Sequence, residues 1–289
     1  MATQQHSRNP FEMGVEQLVD VFQSLGRPRA DRREATAPPV LEIRRIEARD
    51  LWEALRRGLG DLGAYRSDIL FVGLFYPVAG LVLARAAYGH DLLPMVFPLA
   101  SGFAIIGPVA AMGLYEISRR REAGLPVRWS DAFGIVRSPG FGAVVRLSLI
   151  LVGLFLLWLA AAYQIYISTL GPEPPASVAA FTHDVLYTPA GWAMIAIGMG
   201  VGFLFALAAF MISVVSFPLL LDHDVGVRAA IRTSVRMVAA NPWPMALWGL
   251  VIVGGLLLGS APALVGLILV VPLLGHATWH LYRRSVSVS

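Results

Sequence analysis

Apolar and polar positions along the chain fall into long blocks. Six apolar segments, at 69–88, 92–115, 145–168, 190–221, 245–262 and 263–281, are separated by shorter polar stretches. A bilayer core of ~30 Å takes about 20 helical residues, so each segment predicts a membrane-spanning helix. The last two are short and closely joined. The fourth is too long: at ~1.5 Å per residue it would reach about 50 Å. Tilt, a break near Gly198, Gly200 and Gly202, or a protruding end must absorb the excess.

A second pattern, with helical period and interspersed arginine, fills some of the gaps. In FPLLLDHDVGVRAAIRTSVRMVAANPWPMALWGL, at 217–250, Arg228, Arg232 and Arg236 share one helix face while Ile231, Val235 and Val238 share another. Such a helix lies flat on an anionic membrane surface. LRRGLGDLGAYRSDILFVG from Leu55 aligns without gaps on IRTSVRMVAANPWPMALWG from Ile231, and a shorter version, SDAFGIVRSPGFGAVVRLSL, starts at Ser130. The pattern therefore predicts an all-α, polytopic helical membrane protein of about six transmembrane helices, in three quasi-repeated units of one interfacial helix and two spans. In the first unit Asp50 and Glu53 form a capping box. Leu51, Leu55, Leu59 and Leu62 face one way, and Arg56 and Arg57 elsewhere. Asp222 is placed to cap the helix that carries Arg228.

Upstream, residues 9–25 predict a short amphipathic helix with Phe11, Val15, Leu18, Phe22 and Leu25 in one stripe. An Arg-, Ala- and Pro-rich linker follows at 27–39, and 40–46 admits an extended piece. The organisation expected is a cytoplasmic region at 1–47, a six-span domain at 48–284 and a cytoplasmic tail at 285–289. The first 68 residues show no signal-peptide apolar core, which makes the first span an uncleaved anchor.

Composition agrees. The 289 residues are 56% hydrophobic and 15% charged, far more apolar than an ordinary globular domain. All 23 basic residues are arginine and there is no cysteine, which removes disulfides, thiolate metal sites and thiol catalysis. The excess positive charge lies beside apolar runs, so anionic membrane lipid, not nucleic acid, is its expected partner. Arginine crowds the N-terminal region, the 116–144 and 222–244 loops and the C-terminal tail, and is missing from the three alternate loops. By the positive-inside rule both termini are cytoplasmic, in a multi-pass membrane protein. Arg85, near the outer end of the first span, is the exception, and snorkelling or a pair with Asp91 accounts for it.

Candidate chemistry is sparse. His276 and His280 are four residues apart on one helix face, a spacing that suits a metal or haem. However, no glutamate completes a zinc motif, and an interfacial aromatic belt with Trp279 and Tyr282 explains them without a cofactor. Asp222, His223 and Asp224 are consecutive and do not converge on a helix; His183 with Asp184 is a weaker pair. No nucleophile, base and oxyanion site recur at recognisable spacing, so no catalytic residue and no cofactor is assigned. Gly198 with Gly202, and Gly255 with Gly259, are small-xxx-small pairs for close helix packing, within one chain first and in a homo-oligomer second.

LWEALRRGLGDL at 51, GLFYPVAGLVLA at 73, the stretch from HDLLPMVFPLASGF to YEISRRREAG, WSDAF at 129, FPLLLD at 217 and GHATWHLYRR at 275 carry a further signal. Through them, over about residues 43–284, the chain resembles a family of predicted bacterial integral membrane proteins, domain of unknown function 2189. The resemblance implies a multi-span inner-membrane protein and supplies no activity or catalytic residue. The resulting expectation is a non-enzymatic scaffold, assembly or lipid-interacting protein, with Arg56, Arg57, Arg228, Arg232 and Arg236 as lipid-binding residues. The competing classes are a small-solute permease or channel lined by Ser101, Ser148, Tyr163, Gln164 and Ser213, and a haem- or metal-linked accessory of a respiratory complex. A membrane protein partner is left open.

Overall fold

The computed structural model describes residues 41–64, 92–128, 140–261 and 265–288, with Arg85 and positions 131, 132, 134, 136 and 138. The helix expected at 9–25, the linker at 27–39 and, apart from Arg85, the first apolar segment lie outside the described residues. So does Asp91, while Arg85 itself is helical and exposed.

Backbone amides in lipid must be satisfied within their own segment, and the apolar runs accordingly form helices. Strand β1 (Leu41–Ile43) leads into α1 (Ala48–Ala64); a 3-10 turn at Leu93–Met95 opens α2 (Val96–Ala110), followed by α3 (Met112–Glu122) and α4 (Phe141–Thr169). Then come α5 (Val178–Tyr187), α6 (Pro189–Ser213), α7 (Ser216–Asp222), α8 (Val227–Ala240), α9 (Pro242–Ser260), α10 (Leu267–Ser285) and β2 (Val286–Val288). The protein is an all-α polytopic membrane protein. Among the described residues, α4, the α6–α7 run and α9 are long and apolar enough to cross a membrane. The pair Leu93–Gly102 and Ala104–Ala110, bent by 42°, makes a fourth if counted as one span. Pro108 explains the bend, because it has no N–H to offer the carbonyl of Ala104.

The spans are apolar on the outside. Leu149, Leu157, Phe203, Leu204, Leu250 and Leu257 are each more than half exposed, as lipid-facing side chains are. Inside, α4 packs between α2 and α6: Trp158 donates to the Pro98 carbonyl at 3.0 Å and tilts against Phe205. Small residues set the spacing. A Cβ on Gly202 would stand 3.0 Å from Trp158, one on Gly255 3.2 Å from Val270 and one on Gly259 2.8 Å from Leu267. These three glycines serve packing within the chain, whereas a Cβ on Gly198 meets no described atom within 4 Å.

Several expectations are corrected. The long fourth segment passes through its glycines unbroken and turns instead at Val214 and Val215, where Pro218 cannot donate to the Val214 carbonyl. The sixth segment, α10, is not among the helices apolar enough to span, because its second half carries His276, His280, Arg283 and Arg284. The third interfacial helix does not form at its described positions. Asp131, Ala132, Gly134 and Val136 lie in 3-10 turns, consistent with the helix-breaking Ser138-Pro139-Gly140 run. The capping box at Asp50 and Glu53 is shifted: Glu47 begins the helix, and Asp50 reaches back to accept its N–H at 2.8 Å. Asp222 does not cap α8, which starts from Gly226, at φ 76°.

The residues on either side of the proposed 48–284 domain belong to one structure. Strand β1 pairs antiparallel with β2, Leu41 opposite Val288 and Ile43 opposite Val286. Buried Asn241, at the junction of α8 and α9, clamps the strand. Its Oδ1 accepts the Ile46 N–H at 2.9 Å, and its Nδ2 donates to the carbonyls of Arg44 at 3.2 Å and Met237 at 3.1 Å. Asn241→Leu strands these groups, at about 1–3 kcal/mol for each one left buried and unpaired. Thermal unfolding in detergent should show a loss of about 2 kcal/mol or more; an unchanged midpoint would mean the strand is held without this residue.

Candidate functional site

The amphipathic helix α1 is the roof of a buried polar junction. Its buried side is Leu51, Ala54, Gly58 and Asp61, with Leu55 and Leu62 half-buried, while Leu59 is exposed. The stripe is thus turned from the leucine face expected. The small residues explain the rotation, since Gly58 sits directly on the backbone of Ala277 in α10, where a Cβ would come within 2.7 Å of the Ala277 nitrogen. Close approach of the two backbones then brings Asp61 under the roof, 5% exposed.

Every oxygen of Asp61 is used. Ser118 in α3 donates to Oδ2 at 2.6 Å, the Nε2 of His280 stands 2.8 Å from the same oxygen, and Arg121 donates to Oδ1 at 2.7 Å and to the Gly60 carbonyl at 2.6 Å. Burial pushes the Asp61 carboxyl up, but the hydrogen bonds from His280 and Ser118 and the pull of His280 and His276 outweigh it. The carboxyl is held below its ordinary value of 3.8 and is ionised at neutral pH. An ionised Asp61 fixes the remaining protons. His280 must donate through Nε2–H, and Ser118 spends its only proton on Asp61. The contact of Ser118 Oγ with His276 Nδ1 at 2.8 Å is therefore donated by the imidazole. A chain of polar groups, His276 to Ser118 to Asp61 to His280, links α10, α3 and α1.

A second layer of charge surrounds it. Glu122 accepts from Trp279 Nε1 at 2.9 Å and from Arg283 at 3.2 Å. Asp222 accepts from Tyr282 at 2.9 Å and Arg283 at 3.1 Å, and lies 3.2 Å from His223. Buried Glu116 accepts from two nitrogens of Arg119, at 2.8 and 2.9 Å. Arg284 bridges back to Asp50 at 2.9 Å and to Glu53. Arg119, Arg120, Arg121, Arg283 and Arg284 all face carboxylates.

Arg56, Arg57, Arg228, Arg232 and Arg236 differ. All five are exposed, and none forms an ion pair or hydrogen bond with a described residue. They stand on α1 and α8, the two expected amphipathic helices that form among the described residues. His276 and His280 are brought together with acidic and hydroxyl groups, not in an exposed aromatic belt: they are 0% and 7% exposed. Among the described residues no cluster of three or more metal-ligating side chains exists. His183, Asp184 and His223 remain outside the junction's core, the first two in the exposed helix α5.

The junction holds a serine, histidines and an aspartate, yet its geometry is not that of a nucleophile. Ser118 is 0% exposed, and its proton goes to the carboxylate, whereas activation needs the imidazole to accept it. The residues expected to line a solute path make local bonds. Ser101, Ser148 and Ser213 each bond a carbonyl of their own helix, Gln164 bonds Ser168, and Tyr163 is exposed.

Reading the sequence missed Asp61, Ser118, Arg121 and Glu122. The signal available was an acid at the end of the small-residue stripe Leu51, Ala54, Gly58, Asp61. Residues 96–222, from α2 to the end of α7, match the sequence profile of a family described as predicted integral membrane protein (DUF2189). The matched segment is narrower than the resemblance over 43–284 and excludes LWEALRRGLGDL, GLFYPVAGLVLA and GHATWHLYRR. No curated protein and no solved structure matches the chain. Through α2 to α7, the scaffold on which the roof and its polar junction are built, the chain is similar to this family of predicted integral membrane proteins, whose function is unknown.

Proposed function

We propose that the protein is a non-enzymatic component of a bacterial inner membrane, with both termini cytoplasmic, whose arginine-rich end holds anionic lipid headgroups as a scaffold or assembly surface. The observation that carries this reading is the division of its arginines. Those between elements are neutralised by carboxylates, whereas Arg56, Arg57, Arg228, Arg232 and Arg236 stand exposed and unpaired among the described residues. Exposed Trp52 and Leu59 on α1, and Trp243 at the start of α9, add apolar surface of the kind that sits at headgroup level. The buried, hydrogen-bonded junction supports a structural role for the polar core, because it fastens α1 in place.

Each arginine near an anionic surface is worth about 1 kcal/mol. R228Q/R232Q/R236Q is therefore expected to cut the anionic lipid retained after purification several-fold, read by mass spectrometry of the lipid extract, with the spans still inserted. Unchanged retention would overturn the reading.

A further inference from the structure

A cleft of about 320 Å3 opens beside the junction, lined by Arg57, Gly60, Asp61, Arg121, Glu122 and His280. Its volume falls at the lower end of small-ligand pockets, ~300–1,000 Å3. Two carboxylates line it, yet all four of their oxygens are already occupied. Asp61 accepts from Ser118, His280 and Arg121, and Glu122 from Trp279 and Arg283.

The donors are in the opposite condition. Arg121 spends only NH1, on Asp61 and the Gly60 carbonyl; its Nε and NH2 bond no described residue. Arg57 bonds none at all. His280, its Nε2 committed to Asp61, has an Nδ1 that is buried without a partner among the described residues. A buried polar atom without a partner is costly; with Nε2–H given to Asp61, Nδ1 of a neutral ring is an acceptor, so a ligand O–H, or a ligand oxygen when the ring carries a second proton, supplies its partner. The space beside Gly60 is open, since a Cβ there would meet nothing within 4 Å.

We propose that this cleft is a stoichiometric binding site for one phosphate group, with Arg57 and Arg121 gripping its oxygens and His280 at its base. Guanidinium forks suit phosphate because two parallel N–H groups match two oxygens. The site deepens the lipid-surface reading and rests on it for the source of the phosphate, an anionic lipid headgroup. It differs from that surface in being a single fixed seat.

The test uses the full-length protein in detergent, stripped of bulk lipid, and titrates dihexanoyl-phosphatidylglycerol and, separately, inorganic phosphate, with isothermal calorimetry as the readout. Wild type is expected to bind one equivalent of the short-chain lipid. Arg57→Gln, an exposed position that touches none of the junction's bonds, is expected to weaken binding at least about tenfold. R228Q/R232Q/R236Q is expected to leave this one equivalent within about twofold while losing its diffuse lipid.

Inorganic phosphate that competes for the site with the same dependence on Arg57 supports the site and assigns its source to free phosphate. Failure to compete supports the lipid diester. Binding that Arg57→Gln leaves unchanged, or no saturable binding of either probe, overturns the proposal. Loss of the single equivalent in R57Q, with bulk lipid unchanged in the triple variant, upholds the site and removes the broader arginine-surface reading.

Discussion

Asp61→Ala is expected to release α1 from the end of the bundle and to destabilise the protein by about 3–5 kcal/mol, the cost of removing one partner from a buried charged pair. The substitution leaves Ser118 and His280 facing an empty space and Arg121 without its counter-charge. Limited proteolysis across 41–64 and thermal unfolding in detergent measure the two effects. Asp61→Asn keeps the shape and an acceptor oxygen, so its loss should be smaller. The difference between Asn and Asp should also depend on pH. The Asp61 carboxyl is held below its ordinary 3.8 in the folded protein. Its ionised form therefore contributes its full stability above that pH, and the contribution is lost as pH falls through the lower, folded value. Wild-type and D61N melting temperatures should converge on acidification below pH 3.8. A gap that stays constant with pH would show that the charge of Asp61 does not fasten the helix.

Gly58→Leu attacks the same contact from the backbone side. The Ala277 nitrogen, Cα and Cβ lie 2.7, 2.9 and 2.9 Å from where a Cβ would be built, and two of these three are main-chain atoms that cannot rotate away. The helices must part, so the expected cost lies at or above the top of the ~1–3 kcal/mol range for overpacking. Gly63→Ala is the control: a Cβ there meets nothing within 4 Å, and the gain in helix propensity should leave stability equal or slightly higher. The chain contains no cysteine, so the engineered pair E53C/R284C reports the α1–α10 contact without background. Crosslinking should be efficient in the parent and lost with Gly58→Leu. Efficient crosslinking in G58L would mean that the roof tolerates the side chain.

Membrane character could be read from the sequence because a long apolar run is a one-dimensional signal. The outward face of α8, with Arg228, Arg232 and Arg236, was legible in the same way, but its buried side is Ala230, Thr233, Ser234 and Met237, and the expected Ile231, Val235 and Val238 are half-buried. The junction was not, because its partners are distant in sequence: Ser118 lies 57 residues from Asp61, and His280 lies 219. The leucines of α1 misled for a physical reason. Hydrophobicity favours burying Leu59, but the approach of two backbones favours Ala54 and Gly58, and the closer packing prevailed. The spacing of His276 and His280 correctly placed both on one face, but it held no information about the carboxylate beneath α1. Asp222 looked like a cap because it precedes a helix. Gly226 supplies the turn instead, and the carboxylate is drawn to Tyr282 and Arg283.

The pairing of β1 with β2 and of α1 with α10 has a consequence for biosynthesis. The first described elements find their partners only after the last ones emerge from the ribosome, with 219 residues separating Asp61 from His280. Until then Asp61 has no His280 and Gly58 has no Ala277, so α1 stands with its inner face uncovered. A product truncated before α10 keeps that face open permanently and displays an unpaired strand edge beside it. Closure of the roof therefore marks a product in which α10 has been made, one that surveillance proteases at the membrane could distinguish from a shorter product.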